Sequence, residues 1–241
     1  MKFKKRTTSP LDDNKNYLRE PKGYNKCIRG NTKNGINHGT YDVLPNCTGY
    51  CYGRFLESQN YTSCSLPTSN AEEWIIKNTK YSEGHTPRLG SILVYQKGKI
   101  GKKDGCGHVV FVEEIDKKGN VKVSESGWSA KKRMWCETLK HPSYVYKKGY
   151  TYIGCIYPEE NFETPYYGTL PKTNLKLGSK GVDVKRLQDF LNWCMGTKLA
   201  LDSSYGSATY KVVIEFQKKY GLVVDGKFGP SCRKKASEIK F

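Results

Sequence analysis

The sequence predicts two domains of different class, an α+β domain with an antiparallel sheet followed by a small all-α domain of three helices. Apolar residues that alternate as in strands are concentrated between residues 91 and 157. Beyond residue 181 they recur at helical spacing instead. Residues 158–174 contain prolines, threonines and acidic residues without a period, which is typical of a linker. We therefore expect domains at 1–157 and 175–241, joined by this linker.

Helices are predicted before most of the strands in the first domain, an order that is typical of α+β folds. Segments 47–58 and 70–78 have helical character. Asn70 is the expected N-cap of the second helix, because acidic residues follow it in the first turn. The predicted strands are rich in β-branched and aromatic residues. They span residues 91–96, 108–115, 121–125 and 150–157.

Three helices are predicted in the second domain, at 182–195, at 207–222 and from Pro230 onward. The phrases 202-DSSYG-206 and 225-DGKFG-229 precede the last two of these helices. Aspartate and glycine at such offsets predict a tight turn that leads into a helix N-terminus.

This internal repeat resembles the three-helix peptidoglycan-binding module found at the ends of many wall-lytic enzymes. The resemblance covers about residues 175–238. The family prefers glycine where Ser203 stands, so we expect a looser turn there.

The chain is strongly basic, with a formal net charge of +18 over 241 residues. Both predicted domains carry an excess of Lys and Arg over Asp and Glu, which favours a polyanionic partner, either nucleic acid or an anionic cell wall. No apolar run approaches the roughly 20 residues that a transmembrane helix needs. The basic N-terminus is not followed by the apolar stretch of a secretory signal. We expect a protein that is made in a cytosol and does not insert stably into a membrane.

Nine cysteines occur without the regular spacing of a disulfide framework, so most are expected to be free thiols. Cys47 is distinguished by its position between a Pro-Asn turn and the start of a predicted helix. The helix dipole and the unpaired N–H groups at such a position favour a nucleophilic thiolate and can receive an oxyanion. Gly49 and Gly53 each cost the helix about 1 kcal/mol. We interpret them as positions that let the helix lie close against the sheet.

A base and an orienting acid are expected on adjacent strands. His108 opens a predicted strand after a Gly-Cys-Gly turn, and Glu125 ends the next strand. A carboxylate that holds one ring nitrogen would orient the imidazole toward the thiol. Each of these residues alone is more often structural. The hypothesis depends on the order of cysteine on a helix, histidine on a strand and acid on the next strand.

Two sets of metal ligands are weaker alternatives. Cys47, Cys51, Cys106 and His108 are zinc-type ligands, but the cysteine pairs of structural zinc sites usually repeat, and only one occurs here. Residues 12–16 alternate oxygen ligands as a calcium loop does, but they lack its glycine and its distant bidentate acid. We expect no metal and no cofactor.

Four segments together resemble the cysteine- and histidine-dependent amidohydrolase/peptidase family, CHAP. They are LPNCTGYCYGRF at 44–55, PRLGSILVYQ at 87–96, GHVVFVEEI at 107–115 and VSESGW at 123–128. The resemblance covers about residues 15–157 and implies a papain-like fold that cleaves amide bonds in peptidoglycan. It also implies Cys47 as nucleophile, His108 as general base and Glu125 as orienting acid.

The segments depart from the family at two positions. Gly127 stands where the family often has asparagine, which gives Glu125 more weight as the orienting group. Ser91 stands where aspartate is common, and we expect a structural effect there.

Together the two resemblances imply a phage-type endolysin or a related wall hydrolase, acting as an amidase or an endopeptidase. The implied partners are peptidoglycan and anionic wall polymers, with residence in the host cytoplasm until release to the wall. Tyr24, Asn46 and Trp128 are candidate substrate contacts.

Two other classes stay open from the sequence. The protein could be a non-catalytic wall-binding protein whose papain-like domain has lost activity. It could also bind nucleic acid, although no base-reading motif accompanies the charge. The bond cleaved, the ligand of the second domain and the oligomeric state do not follow from the sequence.

Overall fold

The computed structural model of the chain describes residues 3–31, 39–98, 105–159, 162, 166 and 168–239. The chain forms two compact units, one built mostly from residues 1–162 and the other mostly from residues 163–241. The predicted linker includes residues 160–161, 163–165 and 167, which lie outside the described residues. Within the described ranges, no helix has both the length and the apolar composition that a membrane span requires.

The first unit combines helices with a sheet that has six strands in the described residues, which confirms the predicted α+β class. Its α-helices are α1 Cys47–Gln59 and α2 Trp74–Lys77. Its strands are β1 Glu83–Gly84, β2 Ile92–Lys97, β3 His108–Ile115, β4 Val121–Glu125, β5 Trp135–Leu139 and β6 Tyr150–Ile156. The strand order is β1-β6-β2-β3-β4-β5. The pairs β2–β3, β2–β6, β3–β4 and β4–β5 are antiparallel.

Both faces of this sheet are buried, because successive side chains of a strand point to opposite sides. One set of residues packs with Tyr50, Phe55 and Leu56 of α1. This set contains Ile92, Val94, Val109, Phe111 and Ile156. The alternate set forms a separate core on the other face. It contains Leu93, Tyr95, Val110, Val112, Val121 and Val123.

A buried ion pair fastens α1 to strand β3. Arg54 donates from Nε and Nη2 to the two carboxylate oxygens of Glu113, each at 2.8 Å. Ser124 of β4 donates to the same carboxylate at 2.6 Å. Removing one partner of such a buried pair typically costs about 3–5 kcal/mol. The pair therefore fixes the helix that begins at Cys47 against the strand that begins at His108.

Gly49 and Gly53 do allow a close approach, but the neighbour is not the sheet. A Cβ at Gly49 would lie 2.7 Å from the carbonyl oxygen of Val43, and one at Gly53 would lie 2.8 Å from the ring of Tyr17. Both contacts are with the segment that precedes α1. The expectation that these glycines pack against the sheet is therefore wrong, because the N-terminal segment covers that side of the helix.

The helix predicted at 70–78 is shorter and begins differently. A 3-10 turn at Ala71–Glu73 leads into α2, and the Asn70 side chain makes no capping hydrogen bond. Asn70 thus occupies the N-cap position of the 3-10 turn, but its side chain does not cap it. The backbone carbonyl of Asn70 instead accepts from the N–H of Glu73 at 3.0 Å.

The second unit is all-α in its described residues, as predicted. Its helices are α3 Val182–Met195, α4 Ser207–Lys219 and α5 Pro230–Glu238, with Pro230 at the first helical turn. Its core is aromatic and aliphatic, and includes Leu187, Phe190, Val213, Phe216 and Phe228.

A helix glutamine organises each of the two repeated loops. Gln188 of α3 donates to Asp202 at 2.8 Å, and its carbonyl oxygen accepts from the N–H of Ser203 at 3.2 Å. Gln217 of α4 makes the equivalent bonds to Asp225 and to the N–H of the residue after it, each at 2.9 Å. The aspartates thus shape the loops and do not cap the following helices, whose N-cap residues are glycines.

Candidate active site

Cys47 occupies the first position of α1 and is half-buried. The N-cap residue is Asn46, whose side-chain oxygen accepts from the N–H groups of Thr48 at 3.0 Å and Gly49 at 3.4 Å. This cap satisfies two of the N–H groups that a helix start leaves unpaired. The N–H of Cys47 has no hydrogen-bond acceptor among the described residues. That group is therefore available to an oxygen atom placed beside the sulfur.

His108 and Glu125 form a buried pair at the ends of adjacent antiparallel strands. His108 Nε2 lies 2.6 Å from Glu125 Oε2, with the histidine 6% exposed and the glutamate fully buried. A bond at this distance is short and charge-assisted, so it fixes the plane of the imidazole. Because Nε2 is occupied by the carboxylate, Nδ1 is the ring atom left for proton exchange with another group.

Tyr146 completes the immediate surroundings of this pair. Its hydroxyl donates to Glu125 Oε2 at 2.7 Å, and its ring stacks on the His108 ring at 4.7 Å with an interplanar angle of 14°. The ring of Tyr150 meets His108 edge-on at 6.3 Å. Lys147 donates to the Tyr146 hydroxyl at 2.8 Å. None of these three residues was predicted to belong to the site, because they lie in a loop and at a strand end without a motif.

A second carboxyl group, Glu137 on β5, lies near Glu125. Burial, followed by the hydrogen bond and charge of Glu125, raises the pKa of Glu137 to about 8, against the opposing effect of Lys147. Glu137 was also missed from the sequence, because strand β5 was not predicted.

One hydrogen bond joins the turn that precedes Cys47 to the segment that follows β4. The N–H of Asn46, the residue before Cys47, donates to Ser126 Oγ at 3.1 Å, and Ser126 follows Glu125. In the part of the chain that the structure describes, Cys47 and His108 themselves share no hydrogen bond. Hydrogen bonds between catalytic groups are often long before substrate binds.

Two other thiols of the first unit, Cys27 and Cys51, are packed in its core. Burial raises the pKa of Cys27 and of Cys51, and both side chains are fully buried. These thiols therefore stay protonated near neutral pH and act as apolar packing groups.

The three candidate substrate contacts lie in different environments. The side-chain oxygen of Asn46 is committed to the helix cap, and the residue is only 4% exposed. Tyr24 packs against the core on the α1 side, with Lys15 Nζ 6.0 Å from its ring. Trp128 is 55% exposed and free to meet a ligand. For all three, contact with substrate stays a prediction.

The two weaker metal arrangements gain no support. The described residues contain no group of three or more His, Cys, Asp or Glu side chains arranged to hold a metal ion. In the segment 12–16, the Asn14 side chain accepts from the N–H of Asn16, and Asp12 lies 3.5 Å from Arg133.

Two protein families match the sequence directly. The CHAP domain matches residues 36–127, and the putative peptidoglycan binding domain matches residues 180–235. A curated relative from Staphylococcus aureus, an N-acetylmuramoyl-L-alanine amidase domain-containing protein, is 34% identical over 82 residues. That alignment covers 33% of this chain and 13% of the relative. The chain therefore spans only a small part of the relative's length.

Among solved structures, two from wall-lytic proteins are similar to parts of the chain. The Burkholderia AP3 phage endolysin is 42% identical over 27% of this chain and 25% of its own, with a TM-score of 0.26. An N-acetylmuramoyl-L-alanine amidase from Staphylococcus aureus is 22% identical over 49% of this chain and 32% of its own, with a TM-score of 0.38. Such TM-scores do not establish a common overall fold. The two family matches carry the assignment, and the chain accordingly contains a CHAP domain followed by a putative peptidoglycan binding domain.

Proposed function

We propose that this protein is a peptidoglycan hydrolase, an endolysin-type enzyme, that cleaves an amide bond of the wall peptide with Cys47 as nucleophile. The observation that carries the proposal is the buried His108–Glu125 pair, linked through Ser126 and Asn46 to the turn that presents Cys47. The CHAP family match over these same residues supports it.

The proposed mechanism uses a thiol, a base and an orienting acid in sequence. Glu125 holds His108 Nε2, so Nδ1 would accept the thiol proton of Cys47. The sulfur would attack the amide carbon while the N–H of Cys47 binds the developing oxyanion. His108 would return the proton to the leaving amine as the C–N bond breaks, which leaves a thioester. Water would then attack the thioester, give one proton to His108 and release the acid, and the sulfur would regain its proton.

The second domain would hold the polymer. Its match to a putative peptidoglycan binding domain supports this role, and the positive net charge suits an anionic wall. We propose that the protein acts on the wall after residence in the host cytoplasm.

The same thiol chemistry serves either an amidase or an endopeptidase. An amidase cleaves between muramic acid and L-alanine, whereas an endopeptidase cleaves within the stem or the cross-bridge. Mass spectrometry of digested walls distinguishes them, because only the amidase produces new N-termini at L-alanine.

Replacement of Cys47 by serine tests the catalytic proposal. We expect C47S to lose lysis of purified walls by at least about a thousandfold, because a serine hydroxyl is a far weaker nucleophile than a thiol in the same site. The matched control is C106S, which changes an exposed cysteine of the same domain and should lyse walls like the parent. Undiminished lysis by C47S would refute a thiol mechanism. Wall binding by a parent protein that produces no cleavage products would favour the non-catalytic wall-binding alternative.

A further inference from the structure

A carboxyl group beside the proposed catalytic acid is not used by the mechanism above. Strands β4 and β5 are antiparallel, with Val123 opposite Glu137 and Glu125 opposite Trp135. Glu137 therefore lies on the same face of the sheet as Glu125, one diagonal position away. Long side chains at diagonal positions reach each other across a strand pair.

Each of the two carboxyl groups has one buried oxygen without a hydrogen-bond partner among the described residues. Glu125 Oε2 accepts from His108 and from Tyr146, at 2.6 and 2.7 Å. Glu125 Oε1 and Glu137 Oε1 are both buried, and neither has a hydrogen-bond donor among the described residues. Two ionised carboxylates in this position would repel each other and leave two acceptors unsatisfied. A proton on one of them removes both costs.

We propose that Glu137 is a positioning residue of the active site, whose protonated carboxyl group donates to Glu125 Oε1 and so keeps Glu125 ionised and aimed at His108. The inference rests on the proposed function, since it deepens the account of the same site. Tyr146 and Glu137 would thus hold the two oxygens of Glu125 from two sides. This support takes the place of the asparagine that the CHAP family often has at the position of Gly127, since glycine supplies no side chain there.

The surrounding charges favour Glu137 over Glu125 as the proton carrier. Glu125 Oε2 already accepts from two donors, His108 and Tyr146, which leaves Glu137 to supply a donor to Glu125 Oε1. Burial and the adjacent Glu125 raise the pKa of Glu137 to about 8, although Lys147 and His108 oppose this shift. Among the described residues, the titratable groups around the pair include Cys51 on α1, Tyr95 on β2, His108 on β3, Cys136 on β5, and Tyr146 and Lys147 in the loop before β6.

This arrangement predicts a specific dependence on pH. As the pH rises through about 8, Glu137 loses its proton and the two carboxylates repel each other. The alignment of His108 should then weaken, so that activity falls on the alkaline side. Stability changes in the same direction: the folded protein holds a proton that the unfolded chain releases above its ordinary pKa of 4.5. The contribution of Glu137 to the free energy of unfolding therefore falls as the pH rises from 4.5 through about 8.

Two variants and one control test whether Glu137 acts by donating a hydrogen bond to Glu125 or only by packing. E137Q cannot ionise but can donate to Glu125, so it should keep activity at neutral pH and retain it further into the alkaline range. E137A lacks a donor and should lower the rate of wall cleavage at neutral pH by about tenfold, the effect of one lost hydrogen bond. E114Q makes the same change at an exposed position of β3 and should not alter the pH profile.

The proton itself is measurable without activity. Carbon-13 NMR of the full chain, labelled at the side-chain carboxyl carbon of glutamate, should show one resonance that titrates near 8. That resonance should be absent in E137Q. A wild-type spectrum without such a titration would overturn the inference, and so would an E137Q enzyme as impaired as E137A. Because the spectrum needs no turnover, a failure of the proposed hydrolase function would be seen separately, in undiminished lysis by C47S. If E137A does not fold, E137Q and the spectrum decide the question.

Discussion

At the scale of single residues, the site is organised around one carboxylate. Glu125 accepts from His108 and from Tyr146 through the same oxygen, and both donors are themselves in ring contact. The sequence could predict His108 and Glu125, because each lies at the end of a strand with clear alternation. It could not predict Tyr146, which lies 21 residues after Glu125 and reaches it only through tertiary packing.

The hydroxyl of Tyr146 should matter more than its ring. Y146F keeps the stacking on His108 but removes the donor to Glu125. A hydrogen bond to a charged group is worth about 1.5–3 kcal/mol, so we expect kcat on a soluble muropeptide to fall about ten- to a hundredfold. KM should change little, since Glu125 is fully buried and does not meet substrate.

The neighbouring tyrosine provides the control for that experiment. Y150F keeps the edge contact with His108 and removes a hydroxyl that makes no bond to Glu125. Its kcat should equal that of the parent. If both variants lose activity equally, the hydroxyl of Tyr146 has no special role.

At the scale of elements, the accuracy of the sequence predictions depended on burial. Strands β3 and β4 begin and end at the predicted residues, because both are buried and strongly patterned. Strand β5 was missed because its composition, WCETL, alternates weakly and it lies at the sheet edge. The close packing at Gly49 was foreseen, but not its partner Val43, because the sequence pattern does not identify the tertiary neighbour.

The repeated loops of the second unit offer a test of backbone strain. Ser203 has φ +63° and the equivalent Gly226 has φ +67°, so both occupy the left-handed region. A residue with a side chain pays roughly 1–2 kcal/mol there, partly offset by the greater freedom of glycine in the unfolded chain. We therefore expect S203G to raise the free energy of unfolding by about 0.5–1 kcal/mol, as measured by denaturant titration. The sequence predicts a looser turn at Ser203. Stabilisation by S203G would instead indicate that the serine strains the turn.

The reciprocal change at Gly226 should be destabilising. A Cβ at this position would overlap the ring of Tyr210 in addition to straining the backbone. We expect G226S to lower the free energy of unfolding by about 2 kcal/mol or more. If G226S leaves the free energy of unfolding unchanged or raises it, the two loops are not equivalent.

At the scale of the whole molecule, charge is the property that both units share. The net charge of +18 comes from basic residues distributed along the chain. The same charge is compatible with nucleic acid, so the choice of an anionic wall depends on the two family matches.

The buried Arg54–Glu113 pair and the Gln188 and Gln217 contacts were not predicted, since polar partners distant in sequence leave no periodic signal.

Because the expected attraction to the wall is electrostatic, salt should weaken it. The second unit allows this effect to be measured without changing the proposed site. Lys185, Lys211, Lys218 and Lys234 are exposed on its helices. Replacing all four by glutamine should weaken binding to purified walls several-fold at low ionic strength, while the arginine set keeps the charge and should bind like the parent. The difference should shrink as salt rises, because screening shortens the range of the field to about 10 Å at 0.1 M. If the glutamine set keeps the parent's full salt dependence in sedimentation assays, the charge of the second unit does not guide the protein to the wall. The attraction would then arise from the first unit, whose basic residues could be exchanged in the same way.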